Sequence, residues 1–188
     1  RIKHITSLSL LQKEGIMGID EFTIKNLELF HSLSNQGIHG TLIQTIDRTV
    51  TASGSRLLKN WLRQPLTEPK IINKRLDRIA EFIGDQNMLE NTQNNLSKIS
   101  DIERILARIS SEKSSPRDIV NLGSSLGRIP LIKNEIQNTN KALKKLIQKF
   151  IDTENITSLI IKTLKSDPSV NTRRGGYVKE GFSTELDE

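Results

Sequence analysis

The stretch that decides the fold runs from Asp47 to Leu66 and reads Asp-Arg-Thr-Val-Thr-Ala-Ser-Gly-Ser-Arg-Leu-Leu-Lys-Asn-Trp-Leu-Arg-Gln-Pro-Leu. It predicts a loop that leads into a helix. Thr51 and Ser53 are candidate N-caps, because a hydroxyl accepts hydrogen bonds from backbone N–H groups that the first turn leaves unpaired. Pro65 ends the helix, since proline disfavours a helical conformation in the residue before it and has no N–H of its own.

Apolar residues recur at helical spacing within this stretch, at Leu57, Leu58, Trp61 and Leu62. Trp61 is the only tryptophan in a chain with 4% aromatic residues. We therefore expect it to be buried against Leu57, Leu58 and the helix that carries Ile72 to Ile83. Gly54 lies in or near the first turn, where glycine costs up to about 1 kcal/mol relative to alanine. A close approach of another group to its backbone would explain the glycine.

The same stretch resembles a known family. The string Thr49-Val-Thr-x-x-Gly-Ser-Arg-Leu-Leu-Lys-x-Trp-Leu-x-x-Pro-Leu66 is similar to the signature of the core, or lever, domain of MutS-type DNA mismatch-repair proteins. Neighbouring strings agree in order and spacing, and they extend the resemblance over essentially the whole chain: Asp20-x-x-Thr-x-x-Asn-Leu-Glu-Leu29, Asp101-Ile-Glu-Arg-Ile-Leu-Ala-Arg108, Ser115-Pro-Arg-Asp118, and Gly175-Gly176 followed by Gly181-Phe182 and Glu185-Leu-Asp-Glu188.

Composition narrows the class of protein. The 188 residues are 35% hydrophobic and 27% charged, which is typical of a helical protein with a modest core. No run approaches ~18 consecutive apolar residues, so we expect no membrane partner, and no signal peptide is visible in the sequence. Cysteine is absent, which excludes disulfides, thiolate catalysis and zinc–thiolate sites, and fits a cytoplasmic protein.

The net charge of +6 is concentrated in the middle of the chain. Residues 51–150 hold 18 Lys and Arg against 10 Asp and Glu, with Arg56, Lys59 and Arg63 on one helix. A second helix carries Lys141, Lys145 and Lys149 on one face. Such an excess attracts nucleic acid, although an ordinary solvated helical surface is the alternative. The scarcity of aromatic residues argues against a single-strand stacking groove.

Cap and turn signals predict a mainly α fold, a bundle of roughly eight to ten helices. We expect minor short β elements near residues 16–19 and 170–182, and residues 1–15 form a short strand or a lead-in segment. Asp20 caps a helix that runs to about Phe30, although residues 19–30 also fit a strand because their apolar side chains alternate. A further helix contains Leu42, Ile43 and Ile46 and ends at Asp47.

The helix after Pro65 shows the clearest apolar stripe, formed by Ile72, Leu76, Ile79 and Ile83. Thr67 is its predicted cap, with Pro69 in the first turn and Gly84 at the end. Asp85 is predicted to begin the next helix, in which Met88, Leu89 and Leu96 face inward.

Ser100-Asp-Ile-Glu103 predicts a capping box at the start of a helix. Arg104 and Arg108 lie four residues apart on that helix and repel each other unless carboxylates approach from elsewhere. We expect an ion-pair network rather than DNA contact for this pair. Ser115 and Pro116 predict another N-cap followed by an N1 proline, with Asp118 in the first turn.

Two more helices follow, one containing Leu143, Ile147 and Phe150 and one containing Ile156 and Leu164. Residues 173–182 then predict two short strands or a glycine-rich turn. Ser183 or Thr184 caps a last helix, whose first turn is acidic as the helix dipole prefers.

No catalytic, cofactor-binding or metal-binding residues are predicted in this chain. The segment from Gly176 to Ser183 has the spacing of a phosphate loop, G-x-x-x-x-G-K-S/T, but Phe182 stands where the essential Lys belongs. His4, His31 and His39 are scattered without carboxylates at metal-ligand spacing. The acidic residues from Glu185 to Glu188 fit a helix start better than a cation site. We therefore expect no enzymatic activity from this chain.

The resemblance implies a function that the residue patterns alone do not. Proteins of the family are dimeric clamps, homodimers or related heterodimers, that bind mispaired DNA and couple this to an ATPase using ATP and magnesium. Residues 1–182 would be the first part of the core domain, and residues 183–188 the start of a lever helix that leads to an inserted clamp. The chain would then be a piece of a longer protein, with DNA bound mainly by other domains. The alternatives are a free-standing basic helical module that binds nucleic acid weakly, and a helical protein-interaction adaptor.

Overall fold

A computed structural model of the protein describes residues 15–34, 37–137, 141–169 and 175–187. Within these ranges the chain forms eleven α-helices: α1 Glu21–Asn26, α2 Leu42–Ile46, α3 Ala52–Arg63, α4 Pro69–Gly84, α5 Gln86–Ser97, α6 Ile102–Ser110, α7 Pro116–Leu126, α8 Arg128–Ile136, α9 Lys141–Ile147, α10 Glu154–Thr163 and α11 Thr184–Asp187. The described β structure consists of two isolated antiparallel bridges, Ile16 with Leu66 and Leu164 with Val178. The predicted mainly α class with minor β elements is confirmed. Among the described residues, no helix is long and apolar enough to cross a membrane.

The chain divides into two compact units. Unit 1 comprises Arg1–Asp47 and Leu57–Arg75, and unit 2 comprises Arg48–Arg56 and Leu76–Glu188. The predicted boundary between a core domain and a lever helix at residue 183 stays a prediction. The lead-in segment and the start of the predicted glycine-rich turn fall largely on residues 1–14 and 170–174, which lie outside the described ranges.

Unit 1 is organised around one small apolar cluster. Leu29, Phe30 and Ile43 are buried, and Ile24, Leu58 and Leu62 pack against them. Asp20 caps α1 as predicted, and its carboxylate accepts the Thr23 N–H at 2.7 Å. The helix ends at Asn26 rather than near Phe30, because Glu28 adopts a left-handed conformation with φ 48° that the helix does not tolerate. The strand alternative for residues 19–30 is wrong.

Trp61 is 40% exposed, so its predicted burial is wrong. The inward face of α3 carries Leu58 and Leu62 instead, the row of apolar residues next to the one that holds Leu57 and Trp61. Trp61 does meet α4, through a cation: the guanidinium carbon of Arg75 lies 3.8 Å from the centre of the indole ring. One side of the ring is thus covered by a charged group.

The first turn of α4 differs from its prediction by one residue. The helix begins at Pro69, so Glu68 occupies the cap position, and its carbonyl accepts the N–H groups of Ile71 and Ile72. Thr67 lies one residue earlier and donates its N–H to the Gly15 carbonyl at 2.9 Å. This bond continues the contact of the Ile16–Leu66 bridge, so Thr67 belongs to the extended segment before the helix.

Unit 2 has the larger core. Its buried members are Met88, Ile132, Ile136, Leu143 and Ile147, supplied by α5, α8 and α9, with Phe82 and Leu96 among the residues packed against them. Asp85 caps α5 as predicted, accepting the Met88 N–H at 2.9 Å. The predicted stripe of α4 faces solvent: Leu76, Ile79 and Ile83 are 53%, 49% and 71% exposed.

Two glycines of unit 2 allow close approaches. A Cβ on Gly54 would lie 2.9 Å from Thr51 Oγ1, the hydroxyl that caps α3 by accepting the Gly54 N–H at 3.0 Å. The prediction for this glycine is confirmed, and Thr51 rather than Ser53 is the cap. A Cβ on Gly123 of α7 would lie 2.7 Å from Ile160 Cγ2, so α7 and α10 touch backbone to side chain.

Candidate functional site

Residues from two of the quoted motifs meet in an ion-pair cluster of unit 2. Arg56 donates from Nη1 to Asp101 Oδ2 at 2.9 Å and from Nη2 to Asp101 Oδ1 at 2.7 Å. Two parallel bonds of this kind match the planar guanidinium to a carboxylate. Nη2 also lies 2.7 Å from Glu103 Oε2. We call Arg56, Asp101 and Glu103 the Arg56 cluster.

Asp101 has a second role as the N-cap of α6. Its Oδ1 accepts the Arg104 N–H at 3.2 Å. The hydrogen bond from Arg56 lowers the pKa of Asp101 from its ordinary 3.8 to about 2, and the same bond raises the pKa of Arg56. Asp101 therefore stays charged over a wide pH range, and its bonds to the Arg56 side chain and the Arg104 N–H join the start of α3 to the start of α6.

The capping box predicted at Ser100 to Glu103 is wrong by one residue. The Ser100 N–H donates to Ser125 Oγ at 3.0 Å, and Asp101 caps the helix in its place. Glu103 consequently turns to Arg56 instead of reaching back to the cap. The signal for this arrangement was the acidic residue at position 101, which caps a helix as well as serine does.

A second ion pair joins the two following motifs. Arg108 donates from Nε to Asp118 Oδ2 at 3.2 Å and from Nη2 to Asp118 Oδ1 at 2.5 Å. Asp118 is also the third residue of α7, and it forms a full capping box with Ser115, as the predicted cap requires. The bond from the Ser115 N–H, followed by that from Arg108, lowers the pKa of Asp118. The ion-pair role expected for Arg108 is confirmed, whereas within the described ranges Arg104 has no carboxylate at ion-pair distance.

These pairs change the view of the basic middle of the chain. Arg56 was counted as part of a basic helix face, but two carboxylates neutralise it. Arg63 of the same helix lies over the Phe30 ring, with 4.8 Å between its guanidinium carbon and the ring centre. Arg56 and Arg63 thus contact other residues of the protein itself.

The segment with phosphate-loop spacing has a geometry of its own. Gly176 and Gly181 both adopt left-handed conformations, with φ 71° and 81°. The Gly181 N–H donates to Asp187 Oδ2 at 2.7 Å, so this backbone donor is already bonded to a carboxylate of the protein itself. Phe182, in the place of the lysine, is 47% exposed. The phosphate loop motif needs a lysine at that position to reach the β- and γ-phosphates.

The remaining candidates for chemistry are scattered. Over the described part of the chain, no group of three or more His, Asp or Glu residues is placed to hold a metal ion. His39 Nδ1 lies 3.2 Å from the Gln44 side-chain nitrogen, and His31 lines a shallow surface cleft with Lys25. His4 lies outside the described residues.

Sequence reasoning missed a cleft of about 730 Å³ in unit 2, beside α8 and the start of α10. Ile129, Phe150 and Ile151 give it an apolar wall, and Lys133 and Asp152 are among its charged residues. The residues that line the cleft come from separate segments of the chain, so no local sequence pattern predicts the cleft.

The fold is that of a mainly α-helical protein whose helix starts are joined by ion pairs. A family profile described as MutS domain III matches residues 22–185. The chain is 36% identical over 189 residues to the DNA mismatch repair protein MutS of Chlorobium phaeobacteroides, and 35% identical over 188 and 190 residues to the proteins of the same name from Caldanaerobacter subterraneus and Methanothrix thermoacetophila. Each alignment covers 100% of this chain and 22% of the relative, so the chain spans about a fifth of the length of these relatives. The chain belongs to the MutS family.

Proposed function

We propose that this chain is the core, or lever, part of a MutS protein, in its first section before the clamp insertion, and that it links an ATPase mechanically to a DNA clamp. The Arg56 cluster carries this proposal. Its members come from motifs 45 residues apart and bind one another rather than a ligand. Packed helices with a small number of discrete arrangements transmit a change at one site to another.

The chemistry of the whole protein is assigned to segments beyond this chain. The relatives bear the name DNA mismatch repair protein, and 22% of their length corresponds to this chain. We assign mismatched DNA, ATP and magnesium to the rest of the protein, together with assembly as a homodimer or a related heterodimer in the cytoplasm. The chain itself contributes no catalytic, cofactor or metal ligand. Phe182 and the bond between Gly181 and Asp187 support that assignment.

The mechanical role is tested in the full-length protein that carries this segment. Arg56→Gln should leave ATP hydrolysis without DNA and mismatch affinity without ATP within about twofold, because neither site lies in this segment. ATP-driven release from mismatched DNA should slow at least tenfold. Arg104→Gln is the matched control, since this arginine lies on α6 and has no ion pair among the described residues. Unchanged release in Arg56→Gln would refute the mechanical role.

Weak nucleic-acid binding is the second candidate, favoured by the excess of 18 basic over 10 acidic residues in positions 51–150. Electrostatic binding of this kind has dissociation constants of about 10⁻⁴–10⁻⁶ M at physiological salt and does not read bases. The isolated chain should therefore bind a homoduplex and a G·T duplex equally in competition, and should not hydrolyse ATP. A preference above about tenfold, some 1.4 kcal/mol, would show that this segment itself reads DNA.

A further inference from the structure

Helix α9 and the turn after it form the most one-sidedly charged segment of the chain. Residues 141–149 read Lys-Ala-Leu-Lys-Lys-Leu-Ile-Gln-Lys, with four lysines and no acidic residue. The inward side is firmly held, because Leu143 is fully buried and Ile147 is 8% exposed within the core of unit 2. The segment is therefore anchored to the core of unit 2 by its apolar side chains.

The outward side of residues 141–149 consists of polar residues. Lys144, Lys145, Gln148 and Lys149 are all exposed, and none of the large exposed apolar side chains of the described chain falls between residues 142 and 149. Across the described ranges, no carboxylate lies within 4.0 Å of the three lysine ammonium groups. In this they differ from Arg56 and Arg108, whose charges are neutralised inside the protein. We call Lys144, Lys145 and Lys149 the α9 lysine face.

We propose that the α9 lysine face binds the sugar-phosphate backbone of duplex DNA, without reading its bases. Lysine ammonium groups are strongly hydrated point charges that contact phosphate without a fixed orientation. At the helical rise, the three lysines lie within roughly 8 Å along the axis. One strand of duplex presents about two phosphates over that distance.

The surface chemistry favours nucleic acid over other polyanions. Protein interfaces depend on buried aromatic or other large anchors, and membrane-surface helices insert an apolar face. The α9 lysine face offers neither, since its apolar side is already committed to the core. Counterion release from phosphates requires only exposed positive charge. This proposal rests on the second candidate function, weak nucleic-acid binding, which it assigns to one surface, and it is independent of the mechanical role of the Arg56 cluster.

The test measures binding of the 188-residue chain to a 20-base-pair homoduplex over a series of salt concentrations. The variant Lys144→Gln/Lys145→Gln/Lys149→Gln should bind at least tenfold more weakly at 50 mM salt. The slope of log K against log salt should decrease by about 2–3, because each lost phosphate contact removes about 0.9. The variant with arginine at the same three positions should retain both affinity and slope.

The matched control removes three exposed lysines elsewhere, as Lys70→Gln/Lys74→Gln/Lys98→Gln. Its slope should change by less than about 1, although the net charge changes equally. Equal weakening of the two glutamine variants would show that binding depends on net charge alone, and would overturn the proposal. An unchanged slope in the α9 variant would overturn it too. If the triple variant does not fold by circular dichroism, Lys145→Gln alone should lower the slope by about 0.9, and no change would count against the proposal.

Two further probes separate the possible anions. Polyglutamate and vesicles containing phosphatidylserine are added at the same concentration of negative charge as the duplex. The duplex alone should bind in a manner that depends on the α9 lysine face. Equally strong binding of polyglutamate that depends on the α9 lysine face would indicate an acidic protein partner. Equally strong binding of the vesicles would indicate a membrane. Either result would overturn the assignment to DNA. Loss of the DNA contact would leave the Arg56→Gln experiment unaffected.

Discussion

Replacing Gly123 with alanine is expected to force apart two helices of unit 2. A Cβ at this position would lie 2.7 Å from Ile160 Cγ2, 3.2 Å from Ile160 Cβ and 3.4 Å from Ile160 Cδ1. The nearest of these atoms is bonded directly to a branched Cβ, so rotation of a flexible chain end does not relieve the contact. The backbones of α7 and α10 have to move instead.

The magnitude follows from two opposing contributions. Overpacking a close contact costs about 1–3 kcal/mol. Alanine in a helix interior is favoured over glycine by about 0.8–1.0 kcal/mol. The balance is a loss of about 0–2 kcal/mol, and a contact of 2.7 Å to a rigid group places it near 1–2 kcal/mol. For a chain of this length, that corresponds to a melting temperature lower by about 2–8 °C.

Urea unfolding followed by circular dichroism measures this change through the midpoint concentration at constant slope. Gly84→Ala is the control, because a Cβ at the end of α4 would meet nothing within 4 Å and should cost no stability. In an Ile160→Ala background the obstructing Cγ2 is gone, so Gly123→Ala should become neutral or stabilising. A Gly123→Ala protein as stable as the original, or a cost that persists beside Ala at position 160, would refute the close-contact argument.

Three further predictions concern charged and aromatic side chains. The pKa of Asp101 is lowered from 3.8 to about 2 in the folded protein, so its contribution to stability is present above pH 3.8 and is lost as the pH falls towards 2. The stability of Asp101→Asn should therefore fall less steeply with pH across that window. An acid-unfolding profile identical to that of the original protein would contradict this. Acrylamide should quench Trp61 fluorescence already in the native state, because the ring is 40% exposed. Arg75→Gln should increase the quenching and lower the free energy of unfolding by about 0.5–1 kcal/mol. Emission that is quenched only after unfolding would mean that the ring is buried. Arg108→Gln should cost about 0.5–1 kcal/mol in urea unfolding and Arg104→Gln less than about 0.5, and equal costs would show that the Asp118 pair contributes nothing.

Local signals predicted the helices and most of their caps correctly. Asp20, Asp85 and Ser115 each accept a bond from an N–H three residues ahead, so the whole interaction lies within a few residues of sequence. The misplaced caps at Ser100 and Thr67 have a different cause. The N–H groups of both residues bond to distant partners, Ser125 and Gly15, and hold each residue in the segment before its helix; the neighbouring sequence does not reveal those partners.

Side-chain burial was harder to predict than helix formation. The apolar residues of α3 occupy two neighbouring rows, and periodicity does not say which row faces the core. The structure buries the row with Leu58 and Leu62 and leaves Trp61 half covered by Arg75. In α4 the periodic stripe itself is exposed, and Phe82, between its members, makes the core contact. Amphipathic spacing thus defines an apolar face, while the position of neighbouring helices decides whether it is covered.

Some positive side chains of this chain are paired with carboxylates and others are not, and the sequence alone does not distinguish the two kinds. Arg104 and Arg108 lie one turn apart on the same helix, yet one meets Asp118 across 10 residues and the other has no such partner in the described ranges. Arg56, inside the most recognisable motif, is neutralised by Asp101 and Glu103. The exposed lysines of α9 belong to none of the motifs that carry the family resemblance. A charge already paired inside the fold offers little attraction to a polyanion. We therefore test mechanical coupling at the paired Arg56 and DNA binding at the α9 lysine face.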